Sequence, residues 1–268
     1  MKRIAHISDP HFGHADPRIA ATLLAELNAL QPALVAISGD LTQRARATQF
    51  REARAWLDQL TVPYLVVPGN HDIPLYDVVR RLFLPRDRYR EYISSDLAPI
   101  YADDQLAVCG IDTTKSLTVK DGHISREQAE RVAAQLAPYT NHWRVVVAHH
   151  PFEHSTGGAR AIPLFEAAGV DLVLTGHLHL RHLTDVAGRN PQHTMIAVHA
   201  GTCMSKRLRG EPNGYNQLAF DGEHVTITHR EWLADHFVDV GTKQYRRTAD
   251  RCIVKEAETP LLLPLGAY

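Results

Sequence analysis

The sequence predicts an α/β fold in its first two thirds, and two observations carry that expectation. Short β-branched apolar runs alternate with longer stretches whose apolar residues recur at helical spacing. The runs also end in turn residues, such as Gly39-Asp40 and Pro68-Gly69, where a strand gives way to a loop. Strands alternating with helices in this manner imply βαβ units and a largely parallel sheet.

Residues 4–8 read as a buried strand, and residues 17–30 as a helix with Pro17 in its first turn, where no amide hydrogen is needed. Residues 33–38 form the second strand, 47–60 the second helix and 64–67 the third strand. From 75 to 95 the chain is rich in arginine and aromatics and is interrupted by Pro85, which predicts a broken helical excursion over one edge of the sheet. Then follow a strand at 106–111, a helix at 125–136 with Ser125 as N-cap, and a strand at 144–148. A short helix at 161–168 leads to strands at 171–175 and 194–198. After Gly210, residues 215–220 and 224–229 read as a hairpin turning at Asp221-Gly222. The last 30 or so residues lack strong periodicity, and 259–265 is an apolar, proline-bounded tail. No repeat or low-complexity linker divides the chain, so residues 1–268 are expected to form one domain. Residues 205–268 would supply a C-terminal hairpin and tail packed on it or on a second subunit, as in a homodimer.

Composition excludes several classes. Apolar content of 44% and charged content of 22% are those of an ordinary globular protein. A net charge of −1 gives no polyanion-binding footprint, so stable nucleic-acid binding is not expected. Three scattered cysteines, none in a CxxC pair, argue against a disulfide framework or a thiolate zinc site. The apolar run at the N-terminus stops at Asp9, too short for a signal peptide, and no run reaches the roughly 18 residues of a membrane span. The default expectation is a cytoplasmic protein. Histidine is the outlier: 17 residues, far above the usual share.

Five motifs stand at predicted strand-to-loop junctions: Asp9-Pro10-His11, Gly39-Asp40, Gly69-Asn70-His71-Asp72, Ala148-His149-His150-Pro151 and Gly176-His177-Leu178-His179. The carboxyl ends of parallel strands share one edge of a sheet, so these motifs meet in space. Asp9 and His11, two apart, would face the same way in a strand or a tight loop. His177 and His179 repeat that spacing with two imidazoles, the commonest metal ligand. Asp40 suits either a helix cap or a carboxylate bridging two cations. Asn70 suits a turn, a neutral oxygen ligand, or both. Of His149 and His150, adjacent in a strand and thus on opposite faces, His149 is chosen for the site and His150 for support beneath it.

In this order the motifs D-x-H, GD, GNHD, H and GHxH make residues 4 to about 202 resemble the calcineurin-like metallophosphoesterase superfamily. The resemblance implies a four-layer αββα sandwich with two mixed β-sheets. It implies two divalent ions, of manganese, iron or zinc. Asp9, His11, Asp40 and His179 would hold one, and Asp40, Asn70, His149 and His177 the other, with Asp40 bridging. Water ionised between them would attack phosphorus, and His71 would protonate the leaving oxygen. Asp72 would orient His71 or cap the loop. Gly39-Asp40-Leu41-Thr42-Gln43-Arg44-Ala45 and the ending of the third motif in Asp72 depart from the protein serine/threonine phosphatases, which carry GDxVDRG and GNHE. GNHD, HHP and residues 207–213 look like bacterial class III cyclic-nucleotide phosphodiesterases and glycerophosphodiesterases.

The substrate expected on that resemblance is a small phosphodiester, a 3′,5′-cyclic nucleotide or similar. The alternatives are a pyrophosphatase acting on UDP-2,3-diacylglucosamine, with residues 79–93 lining an acyl groove, and a non-catalytic metal-binding scaffold. Arg44, Thr156, Arg160 and Arg207 lie in loops beside the motifs and are candidates for substrate contact, with His154 a further one. His182, His193 and His199 are assigned second-rank or surface duty.

Overall fold

The computed structural model describes residues 1–118, 120–186 and 195–259. The chain opens with strand β1 (Lys2–Ile7), helix α1 (Pro17–Leu30), β2 (Leu34–Ile37), α2 (Ala47–Leu57) and β3 (Tyr64–Val66). Asp16 caps α1 by accepting from the Arg18 and Ile19 amides, with Pro17 at its first turn as expected. Helix α2 stops at Leu57, three residues before the expected end, and the chain turns through Gln59 and Leu60. The excursion from 75 to 95 is two short helices, α3 (Val78–Phe83) and α4 (Asp87–Tyr92), broken around Pro85. Tyr89 anchors α4: its ring is buried and its hydroxyl donates to the Val66 carbonyl at 3.0 Å. Helix α3 leaves Val78, Val79 and Phe83 exposed.

The second half contains β4 (Ile100–Ala102), β5 (Leu106–Ile111), β6 (Gly122–His123), α5 (Arg126–Leu136), β7 (Trp143–Ala148), β8 (Ser155–Thr156), α6 (Gly158–Ala167) and β9 (Leu172–Thr175). Ser125 caps α5 in a reciprocal box with Gln128. The rest is strand: β10 (His182–Val186), β11 (Met195–His199), β12 (Gly214–Asp221), β13 (His224–Leu233), β14 (His236–Arg247) and β15 (Ile253–Thr259). The β12–β13 hairpin pairs Asp221 with His224, so its turn is Gly222-Glu223, one residue later than expected. Residues 236–259, read as lacking periodicity, form two long strands instead. Charges on the core-facing side mask the alternation, as in Lys243, which pairs with Ile227, and Arg247, which pairs with Ile253. The expected tail beyond Thr259, together with His193 and Thr194, lies outside the described residues.

Two sheets result. One has the order β15-β14-β13-β12-β1-β2-β3, the other β10-β11-β9-β7-β5-β4. In these two large sheets parallel pairing joins β1-β2-β3, at one edge of the first, and β5-β7-β9-β11, in the middle of the second; the remaining strands pair antiparallel, and β6 and β8 form a separate two-stranded parallel sheet. The two large sheets are therefore mixed, and the parallel reading holds only for β1-β2-β3 and β5-β7-β9-β11.

Strand composition explains the layering. In β2, Leu34 and Ala36 face the second sheet while Val35 and Ile37 face α1 and α2. In β7, Val145 and Val147 join the same inter-sheet core, and Val146 and Ala148 pack under α5 and α6. Strands covered on both faces are apolar without alternation. Helices, sheet, sheet and helices make the four-layer sandwich.

The inter-sheet core also carries polar groups. His6 on β1 approaches the Ser38 hydroxyl at 2.9 Å through Nε2, and the Asn216 amide donates to its Nδ1 at 3.3 Å. That amide also donates to the His199 carbonyl, while His199 Nδ1 lies 2.7 Å from the Thr175 hydroxyl. Burial pushes His6 and His199 down to about 3 each, so both stand neutral. His182 stacks on His199 with ring centroids 4.0 Å apart. Among the described residues no helix is long and apolar enough to cross a membrane.

Candidate metal centre

The connections after β1, β2, β3, β7 and β9 meet on the seam between the sheets. Strand β7 shows why. Val147 points into the inter-sheet core and Ala148 away from it, so the next side chain, His149, points inward again. His149 is fully buried there, with Nδ1 2.7 Å from the Ser38 carbonyl. That contact places the Nδ1 proton and turns Nε2 toward Asn70 Oδ1 at 3.1 Å and Asp40 Oδ1 at 3.4 Å.

Asp9, His11, Asp40 and His179 offer ligand atoms that all lie within 4.8 Å of one another, and so, separately, do His149, His150 and His177. His179 Nε2 is 3.1 Å from Asp9 Oδ1 and 3.3 Å from His11 Nε2. His11 Nε2 stands 3.6 Å from Asp9 and 3.9 Å from Asp40 Oδ2. His177 Nδ1 reaches Asn70 Oδ1 at 3.1 Å. Asp40 thus lies between the groups, Oδ2 toward one and Oδ1 toward the other. His150 packs against the ring of His177 at 4.5 Å, with Nδ1 2.8 Å from the Thr113 hydroxyl.

The backbone is strained where these side chains project. Asp9, His11, Asp40, His177 and His179 all adopt positive φ, between 49° and 70°. Left-handed backbone costs a non-glycine residue about 1–3 kcal/mol and persists only where surroundings enforce it. Of the two routes by which Asp9 and His11 could point together, a strand or a tight loop, the chain takes the loop. Strand β1 ends at Ile7, and both residues sit in a left-handed loop whose amides donate to the Gly39 and Asp40 carbonyls at 3.1 Å. Close approach also demands glycine. A Cβ on Gly69 would lie 2.2 Å from Asp40 Oδ1, and one on Gly176 would lie 1.8 Å from the Ser8 hydroxyl.

Electrostatics are dominated by two buried carboxylates. Burial opposes the charge on Asp40, but His149 and His71 beside it hold its carboxyl well below the usual range. Asp9 is held low in the same sense by the His179 hydrogen bond and His149, against burial. Burial likewise opposes a charge on His149, and the Asp40 carboxylate overrides it, raising the imidazole to about 9. Burial lowers His11 and His177 to about 4 each.

These residues fit divalent cations. Asp9 Oδ1 is buried and faces two imidazole nitrogens, His179 Nε2 at 3.1 Å and His11 Nε2 at 3.6 Å. His149 Nε2 faces two oxygens, an arrangement that a proton or a cation must satisfy. Mixed imidazole, carboxylate and amide oxygen donors suit borderline metals such as zinc, iron or manganese.

Asp72 ties the site together and does not touch the His71 side chain. Its oxygens accept from the amides of Gly69, Leu41 and Thr42 and from the Thr42 hydroxyl, at 2.8–3.1 Å. Burial and the neighbouring Asp40 charge push its carboxyl up to about 7, and the donated bonds oppose that rise. His71 is oriented by other groups: Nδ1 lies 2.8 Å from the Gln43 carbonyl and its amide donates to Asp40 at 2.8 Å. Its Nε2 meets the Arg207 guanidinium at 2.9 Å.

Above the candidate ligands opens a cleft of about 190 Å³ lined by Asp40, Arg44, Asn70, His71, His177, His179 and Arg207, among others. Arg44 and Arg207 therefore stand beside His71. Thr156 and Arg160 do not: they line a separate hollow with His123 and Ser125. Proximity in sequence to His149 misplaced them, because the helical turn at 152–154 and then α6 carry the chain away. Leu75, Arg81, Lys120 and Arg209 line the cleft and were missed, having no motif around them.

A family model described as calcineurin-like phosphoesterase matches residues 2–181. Glycerophosphodiester phosphodiesterase GpdQ of Enterobacter lignolyticus is 35% identical over 80 residues, 26% of this chain and 29% of that protein. A probable cyclic nucleotide phosphodiesterase of Synechococcus is 23% identical over 198 residues, 66% of this chain and 72% of that protein. Among solved structures, the yellow lupin purple acid phosphatase PPD1 superposes with a TM-score of 0.67 at 16% identity. That superposition covers 98% of this chain and 57% of the lupin chain, and it speaks to the fold alone.

Proposed function

The chain belongs to the calcineurin-like phosphoesterase family, and from that premise we propose that it is a two-metal phosphodiesterase acting on a small diester. The observation that carries this is the position of Asp40, with one oxygen toward His11 and the other toward His149. A carboxylate so placed joins two cation sites. Asp9, His11, Asp40 and His179 would hold one ion, and Asp40, Asn70, His149 and His177 the other. Two such ions supply activation of water at neutral pH and neutralisation of the charge developing on phosphoryl oxygens.

The chain's own groups do the rest. His149 releases its proton when a cation takes Nε2, since a ligand must be deprotonated. Among the described residues, His71 is the imidazole facing the cleft that is not counted among the ligands. With the Nδ1 proton donated to Gln43, its Nε2 is the atom that meets the leaving oxygen. Once Arg207 has moved aside, Nε2 takes up a proton from solvent. Water adds to phosphorus and loses a proton to solvent, the ester P–O bond breaks, and the protonated His71 passes its Nε2 proton to the departing alkoxide. In the arrangement seen, Arg207 donates to Nε2. A phosphoryl oxygen entering the cleft draws the guanidinium onto itself and leaves Nε2 open.

Diesters are favoured over monoesters by the names of the relatives, which concern glycerophosphodiesters and cyclic nucleotides. The test is metal content together with turnover of bis- and mono-p-nitrophenyl phosphate, for wild type, Asp40→Ala and His71→Ala. Two metals per chain, diester preference, and loss of turnover in both variants are expected. Fewer than two metals at saturation, or undiminished turnover in Asp40→Ala, refutes the two-metal site. Monoester preference refutes the substrate class.

A further inference from the structure

The floor of the cleft is accounted for by the reading above, but its mouth is not. Arg44 from the β2–α2 connection, Lys120 from the β5–β6 connection and Arg209 from the loop before β12 all line the cleft that holds His71. Arg81 lines it too, but its guanidinium is committed to the Pro74 and Thr118 carbonyls. The other three side chains have no carboxylate or carbonyl partner among the described residues; Arg44 has only the ring of Tyr76, at 5.7 Å.

Several arginines elsewhere on this surface find carboxylates. Arg54 takes Asp58 at 2.6 Å, Arg126 takes Glu130 at 2.7 Å and Arg246 takes Glu256 at 2.8 Å. The chain as a whole balances 29 Lys and Arg against 30 Asp and Glu. The cleft lining breaks that balance, with Arg44, Arg81, Lys120, Arg207 and Arg209 against Asp40 alone. Asp40 itself is a floor residue already engaged by His11, His71 and His149.

A phosphodiester brings one negative charge at the scissile phosphorus, which the floor and Arg207 meet. Cations left over at the mouth call for a second anion on the same molecule. Resting on the phosphodiesterase reading, we infer that the preferred substrate is a diester carrying a terminal phosphomonoester, held by Arg44, Lys120 and Arg209. A phosphomonoester is close to dianionic at neutral pH and presents three acceptor oxygens. Two guanidinium forks and an ammonium match that, whereas a carboxylate offers a single charge and two oxygens.

Exposed ion pairs are each worth severalfold at most, so three together predict a preference of about tenfold to a hundredfold. The test uses thymidine 5′-(p-nitrophenyl phosphate) with and without a 3′-phosphate, substrates that differ in that group alone. For the metal-loaded wild type, kcat/KM is expected to be at least about tenfold higher on the 3′-phosphorylated ester. KM should carry the difference, and added salt should shrink it. In Lys120→Ser/Arg209→Ser the ratio should collapse toward one, and in the surface control Arg126→Ser it should stay. A wild-type ratio near or below one, with the plain ester turned over, overturns this inference and leaves the phosphodiesterase standing. So does a ratio that survives in the double variant. Cleavage of neither ester by the loaded protein overturns the underlying function and the inference with it.

Discussion

Replacing Arg207 by Met isolates a single contact. The Arg207 carbonyl lies 3.3 Å from His179 Nδ1, and this backbone contact survives the substitution. The Ser205 hydroxyl that accepts the Arg207 amide is also retained. Only the guanidinium at His71 Nε2 is lost, and Met keeps most of the stem. A preorganised donor to a phosphoryl oxygen in the transition state contributes about 3–4 kcal/mol. Arg207 must first leave His71, giving up a hydrogen bond worth about 1.5 kcal/mol net. The difference, about 2 kcal/mol, corresponds to a loss of about 30-fold in kcat/KM. Steady-state turnover of bis-p-nitrophenyl phosphate, with metal content and unfolding midpoint measured in parallel, reads it. Unchanged kcat/KM would show that Arg207 never transfers to substrate. A loss explained by missing metal would show that it acts only through His179.

Gly69→Ala should reduce turnover by at least about 100-fold at unchanged far-UV circular dichroism, because its Cβ falls 2.2 Å from Asp40 Oδ1 and 2.3 Å from the Asp40 amide. Displacements near 1 Å in a catalytic site cost about that much. Acid should destabilise the fold through His6 and His199. Their folded values, about 3, lie below the ordinary 6.5, so the unfolded chain binds more protons and stability falls as pH drops below 6.5. At pH 5 each contributes a loss of about 2 kcal/mol, and urea denaturation of His6→Gln should show a flatter pH dependence than wild type. Divalent metal should raise the melting temperature at pH 8, by the equivalent of about 2.7 kcal/mol at a hundredfold excess over Kd. The rise should be smaller at pH 6, because His149, raised to about 9, must give up its proton; an equal rise at both would exclude it as a ligand.

Some parts of this molecule are written locally and some are not. The doubly covered strands were legible because both faces demand apolar residues, as in Leu34-Val35-Ala36-Ile37. The candidate ligands were legible because binding a cation restricts residue type, and because their motifs end those strands. Strands β14 and β15 were not, since charges on the core-facing side, such as Lys243 and Arg247, interrupt their pattern. Nor were Lys120 and Arg209, which lie 89 positions apart and meet only at the cleft. Thr156 and Arg160 failed in the opposite sense: close to His149 in sequence, they face another hollow. Adjacency along a chain predicts adjacency in space only until the next helix intervenes.

The floor and the mouth differ in how they are held, and that difference bears on what each can do. His149 on one sheet is fixed by the Ser38 carbonyl on the other, and the His177 amide donates to Asp9 across the same seam. Neither half of the floor exists unless the two sheets are packed. Its left-handed residues are held in place by the apolar strands that precede them, such as Ile4, Leu34 and Val147. Loosening that inter-sheet core, as Val147→Ala would, should therefore weaken metal binding although no ligand changes. The mouth has no such ties. Arg44, Lys120 and Arg209 project from loops and can be exchanged at little cost to the fold, each being at least partly exposed. Chemistry is thereby bound to the architecture, while selection of the molecule to be cut is left to side chains the architecture does not constrain.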